Sequence, residues 1–232
     1  MKLNKRECSI SIELIPCGVD FLKVVWNIGN DSFVFWTSSA VSYQFSSFIQ
    51  AVYSLYSERR DNHDHNRPNR KRCKYIFPSM DPTLAEDEMK VETEVNWRGE
   101  GPAYEIKLSR ICKHGSKNPA CSEDDFVTVE LFGTAIKSTS YTLDGRDLCY
   151  AVAKAYTDAI KTYGIYGYYF STGNDCCTGD VIDLHMLLFI KAYALNAMEV
   201  RELHDLSEPS DSWQCAEGTS FEKELELLLF DM

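Results

Sequence analysis

The sequence predicts an α+β domain over residues 1–232: an antiparallel β-sheet of about six or seven strands, covered by three or four α-helices. Three observations carry that reading. Between Met89 and Phe132, apolar residues recur at every second position in three runs, the mark of strands packed on one side and wet on the other. Glycine- and proline-rich breaks separate those runs, as a hairpin connection requires. Elsewhere the apolar residues recur at three and four, the period of a helix with one buried stripe.

The central run sets the pattern. In Lys90–Trp97, Val91, Thr93, Val95 and Trp97 face one way, and Lys90, Glu92, Glu94 and Asn96 face the other. After Arg98-Gly99-Glu100-Gly101-Pro102, Tyr104, Ile106 and Leu108 alternate with Glu105, Lys107 and Ser109. Val127, Val129 and Leu131 repeat the pattern in a third strand.

Upstream, Ser9–Leu14, Phe21–Ile28 and Phe33–Trp36 form an opening meander, with turns at Pro16-Cys17-Gly18 and Gly29-Asn30-Asp31-Ser32. Both faces of the second strand are rather apolar, which places it centrally or under helices. A helix capped by Ser38 or Ser39 follows. Its stripe is Val41, Phe45, Phe48, Ile49, Val52, Tyr53 and Tyr56, and such an aromatic stripe belongs in a core. Residues 58–72 form a polar loop rich in arginine, Cys73–Phe77 a short edge strand, and residues 112–125 a second polar loop.

The second half is mostly helical. Asp144 suits an N-cap and Asp147 the first turn, the stripe runs from Leu148 to Tyr163, and Gly164 is a natural stop. Val181–Asn196 is apolar on most sides and reads as a buried helix. An acidic linker over residues 205–218 leads to a last helix, where Thr219 and Glu222 have capping-box spacing before Phe221, Leu225, Leu228 and Leu229.

Composition bounds the function. Twenty-four Lys and Arg against 35 Asp and Glu give a net charge of −11, which opposes phosphate backbones and argues against nucleic-acid binding. The same charge would speed encounter with a basic protein. Met1–Arg6 is not followed by the apolar run of a secretory leader, and no stretch has the ~18 apolar residues of a membrane span. The expectation is therefore a cytoplasmic protein, with no membrane association, whose 9 cysteines stay reduced.

Several constellations invite chemistry and fall short of it. His63, His65 and Cys73 lie among arginines without a second ligand pair, and Cys112, His114 and Cys121 match no zinc spacing even with Cys176-Cys177 added. Neither a metal nor any other cofactor is implied. A triad of Cys149, His185 and an aspartate has nothing to fix its geometry, and no phosphate loop or nucleophile elbow occurs. A hydrolase or transferase would need a non-local site, for which Tyr163–Tyr169 is the candidate segment. A structural or regulatory subunit, with Val181–Asn196 at an oligomer interface, is a further alternative.

The charged ladder on the outer strand faces is the remaining feature. The stretch Val95–Leu108, with its Trp-containing strand, Gly-Glu-Gly turn and Tyr-containing return strand, resembles immunity proteins encoded beside bacterial polymorphic toxins. The helix and exit Ala151–Tyr169 extend the likeness. What the resemblance implies is a non-enzymatic module that neutralises a toxin by binding it. The candidate partner-binding residues are Glu92, Glu94, Trp97, Glu100 and Glu105, the carboxylates meeting a basic surface and the indole acting as an anchor.

Overall fold

Alternating burial is what makes the strands of this protein, and it produces two antiparallel sheets. The computed structural model describes residues 8–17, 21–38, 44–56, 73–98, 102–113, 125–134, 136–164, 184–197 and 221–232. Strands β1 (Ile10–Pro16), β2 (Phe21–Ile28) and β3 (Asp31–Ser38) form a three-stranded meander in that order. Gly29 turns the β2–β3 hairpin at φ 58°, the left-handed conformation that the first central position of a two-residue hairpin requires.

The second sheet has the order β4 (Lys74–Ile76), β5 (Glu88–Arg98), β6 (Ala103–Lys113), β7 (Phe126–Gly133) and β8 (Ile136–Asp144). Every neighbouring pair is antiparallel. The fold is α+β, as the sequence predicts, but its strands do not share one sheet. The chain leaves β3 for a helix, and no strand pairing joins the two sheets among the described residues. Their contact is made by side chains: Phe35 of β3 packs edge-on against Trp97 of β5 and Tyr104 of β6, with centroids 5.6 and 5.2 Å apart.

Strand β8 is absent from the sequence-based reading. Its outer positions Ser138, Ser140 and Thr142 are exposed and its inner face supplies Thr139, Tyr141 and Leu143, so the apolar contrast is too faint to mark a strand. Register with β7 makes it one. Tyr141 then reaches the other sheet, donating a 2.7 Å hydrogen bond to Asp31 and stacking edge-on with Phe33.

The helices among the described residues are α1 (Gln44–Tyr56), α2 (Gly145–Tyr163), α3 (Leu184–Ala194) and α4 (Phe221–Leu229). Of the stripe expected for helix α1, Phe48, Ile49, Val52, Tyr53 and Tyr56 are all buried, and Val41 and the Phe45 side chain lie outside the described residues. Leu55 and Ala51 are buried as well, so this helix is enclosed on more than one side. Asp144 caps α2 by accepting from the backbone N–H groups of Arg146 and Asp147 at 2.9 and 3.0 Å. Gly164 ends it at φ 76°. Helix α3 is buried from Phe189 to Ala194, as its apolar surround predicts. In α4 it is Leu227 that is buried, whereas Leu225 and Leu229 of the expected apolar set point outward.

The loop over residues 58–72, the centre of the 112–125 loop, the turn at residues 99–101, the segment Ile165–Phe170 and the linker 205–218 lie outside the described residues. Within them, one hydrophobic cluster includes residues from both sheets and from α1, α2 and α3. Its centre is Phe48, wholly buried, with ring centroids 5.3 Å from Trp26, 5.4 Å from Trp97 and 6.4 Å from Tyr156. Phe48→Ala therefore removes a ring that touches both sheets and α2. The expected loss is about 3–5 kcal/mol in urea denaturation, with Phe48→Leu losing less because it fills more of the cavity.

Candidate functional site

Strand parity decides which of the candidate residues reach solvent. On β5, Glu92 and Glu94 stand on the outer face and Val91, Thr93, Val95 and Trp97 on the inner one. Glu105 stands outward on β6, opposite Asn96. These carboxylates do not form an unopposed acidic patch. Glu92 pairs with Lys90 at 2.8 Å and with Lys74 at 3.7 Å. Glu94 lies opposite Lys107 in register and accepts from the Asn96 amide. Glu105 pairs with Lys107 at 2.9 Å, and this hydrogen bond and the Glu105 charge raise the Lys107 pKa. The face is a mixed-sign ladder whose charges answer one another along each strand and across neighbouring ones.

Trp97 has no exposed surface. Its indole sits in the core against Phe35 and Phe48. Glu100 lies outside the described residues. Two apolar residues that the sequence reading passed over do stand on the outer face: Ile111 on β6, 51% exposed, and Phe126 on β7, 53% exposed. Parity could have found both, since each falls among the wet positions of its own strand.

A second cluster lies inside. Arg110 occupies an inward position of β6 and is 1% exposed, so a charge stands where the alternation calls for an apolar residue. It is compensated locally. The Nε group donates to the Asp125 carboxylate, Nη1 reaches the Leu55 carbonyl at 3.4 Å, and the guanidinium lies 4.6 Å over the Tyr56 ring. The hydroxyls of Tyr56, at 3.1 Å, and of Tyr193 both donate to the second carboxylate oxygen of Asp125. The Asp125 carbonyl accepts from the Gly145 N–H at 2.7 Å. Asp125 thus ties the start of β7 to β6, α1 and α3 through its carboxylate and to α2 through its carbonyl.

The protonation states fit a structural tie. Burial pushes the Tyr56 and Tyr193 phenols upward, and the Asp125 charge pushes them further, so both remain donors. Burial likewise raises the Cys149 thiol well above its ordinary value, which disfavours a thiolate nucleophile. Burial works against the Arg110 charge, but the Asp125 carboxylate hydrogen-bonded to it holds the guanidinium ionised. His185 stands beside Tyr53, with Nε2 3.5 Å from the hydroxyl, whereas Cys149 lies by Tyr56 and Asp125. No bond between Cys149 and His185 supports a triad among the described residues.

Of the other candidate chemistry, His63, His65, His114, Cys121, Cys176 and Cys177 lie outside the described residues, as does Tyr166–Tyr169. Among the described residues, no group of three or more His, Cys, Asp or Glu side chains is arranged to hold a metal ion. No described helix is long and apolar enough to cross a membrane. No family model matches the chain, and comparison with curated proteins and with solved structures gives no match.

Two substitutions test the internal tie. A Cβ on Gly145 would fall on the Asp125 carboxylate and the Tyr56 hydroxyl, both pinned by their own hydrogen bonds. Gly145→Ala is expected to destabilise by about 1–3 kcal/mol in urea, despite the better helix propensity of alanine. Asp125→Ala leaves Arg110 buried without its counter-charge, and the expected loss is about 3–5 kcal/mol. Arg110→Met combined with Asp125→Leu should recover much of that loss. A double variant no more stable than Asp125→Ala would show that the ion pair is not what holds these elements.

Proposed function

We propose that this protein is a non-enzymatic protein-binding module whose docking surface is the outer face of the five-stranded sheet. The observation that carries the reading is a sheet face that no described helix covers. The described helices pack on the inner side, where α1 meets Trp97, and the outer side presents the charged ladder with Ile111 and Phe126 exposed at one end. At the usual strand spacing and rise, the five strands span roughly 650 Å² in projection, comparable with the ~800 Å² per partner of a standard interface.

The division of labour follows from the chemistry. The net charge of −11 draws in a basic protein and raises its association rate. Glu92, Glu94 and Glu105 then exchange some of their pairing with Lys74, Lys90 and Lys107 for pairing with the partner. Phe126 and Ile111 supply the apolar anchors that Trp97, in the core, does not. The resemblance to immunity proteins supports a toxin as that basic partner and inhibition by direct binding as the outcome. A cytoplasmic setting accords with such a role.

The test begins with a partner isolated by affinity capture from the native host, followed by binding kinetics against salt. Glu92→Lys with Glu94→Lys should lower the association rate about tenfold at low ionic strength, with the difference shrinking as salt rises. Phe126→Ala should act mainly on dissociation. A double-lysine variant and a Phe126→Ala variant that both bind like the wild type would place the interface elsewhere.

A further inference from the structure

Strand β8 is a long, unguarded edge of the five-stranded sheet. At the opposite edge β4 is three residues long, and brevity protects an edge. By contrast β8 runs for nine residues, holds no proline, and has no described strand on its other side. The register shows which of its backbone groups face that side. The Gly145 N–H donates to the Asp125 carbonyl at 2.7 Å, so the two form a hydrogen-bonded pair. Bonded and unbonded pairs alternate along an antiparallel ladder. Val127–Leu143, Val129–Tyr141 and Leu131–Thr139 are then bonded pairs, and Thr128–Thr142 and Glu130–Ser140 are not. The N–H and C=O groups of Ser138, Ser140 and Thr142 therefore point away from β7, and no described residue bonds to them. Their side chains stand exposed on the outer face of the sheet.

We propose that β8 is a self-association edge, at which a second copy of this chain pairs its own β8 antiparallel to the first across a two-fold axis. The two five-stranded sheets then join into one. The free groups are placed symmetrically about Ser140. With Ser140 opposite Ser140, Ser138 of each copy falls opposite Thr142 of the other, and each of these pairs exchanges both of its N–H···O bonds. On the outer face small hydroxyls meet small hydroxyls, a favourable cross-strand pairing.

Charge favours a second copy as the occupant. At a net −11 two copies repel, so a contact between them needs a seam without like charges. From Ser138 to Thr142 the strand carries no Asp, Glu, Lys or Arg. Its charges sit at the two ends with opposite sign, Lys137 at the start and Asp144 at the end, both exposed. Antiparallel pairing brings the basic end of each strand to the acidic end of the other. A foreign peptide is selected by side-chain pockets beside an edge, and three exposed small hydroxyls offer it none. A two-strand seam is small beside a standard interface, so the dissociation constant is expected on the order of 100 µM.

Sedimentation equilibrium of the full chain at moderate salt tests this. The wild-type mass should rise with concentration from that of one chain toward twice that value. In Ser140→Lys, like charges face each other across the two-fold axis, and association should weaken at least about tenfold. Glu130 lies beside position 140 on β7, so the single chain accommodates the lysine and should keep the wild-type circular dichroism. Ser140→Pro should also weaken association, because it removes an N–H that points off the sheet and leaves the bonds to β7 in place. A wild type that stays monomeric up to about 1 mM would overturn the proposal. So would a dimer that Ser140→Lys leaves as tight as before, since the copies would then meet elsewhere. The wild-type series and the lysine variant decide the question even if Ser140→Pro does not fold.

Discussion

The packing of Phe48 against Trp26 and Trp97 is the contact on which the architecture rests. Two sheets with no strand pairing between them among the described residues must be joined by side chains, and this ring touches an indole from each. Phe35 and Tyr104 close the same cluster from the strand side, and Tyr156 closes it from α2. Aromatic pairs in edge-on and tilted geometry bury large areas and favour defined ring angles, so the cluster fixes orientation as well as distance. The ladder face and the Arg110 tie are both carried on strands whose inner sides this cluster organises.

Much of this was legible in the sequence because a period of two survives folding. The alternation in Met89–Phe132 fixes both the strands and the direction of each side chain, and the register of β5, β6 and β7 carries it through. The same alternation puts Trp97 on the packed side with Val91 and Val95, and the structure keeps it there. What parity within a strand cannot supply is the neighbour across it. Parity alone places Lys107 beside Glu105 on β6, and the β5–β6 register sets it opposite Glu94 as well, so the glutamates stand in a balanced ladder. The division into two sheets was hidden for a similar reason. Strand patterns do not state which strands pair, and β8 has too little apolar contrast to register as a strand at all.

Arg110 shows the opposite case, a signal present in the sequence but resolved only in three dimensions. A charge at an inward position demands a partner, and nothing near it in the chain says which. The partner is Asp125, brought in from the far end of the loop between β6 and β7 and held by two tyrosines. Gly145 belongs to the same arrangement. At the first turn of a helix it is a weak choice by propensity, but the space its missing side chain leaves is occupied by the Asp125 carboxylate and the Tyr56 hydroxyl.

The burial of the tryptophans has an optical consequence. Trp26 and Trp97 have no exposed surface and lie among Phe35 and Phe48, and the Trp26 indole N–H has no hydrogen-bond acceptor among the described residues. Trp36 is 45% exposed on β3, with the Lys23 amine 5.8 Å over its ring. Within the described structure the chain thus carries both kinds of intrinsic fluorophore: apolar, rigid indoles that emit at short wavelength, and a solvated one that a soluble quencher can reach. Among the described residues, the buried indoles thus mark the junction between the sheets and the solvated one the surface of the smaller sheet, while Trp213, a fourth emitter, lies outside them.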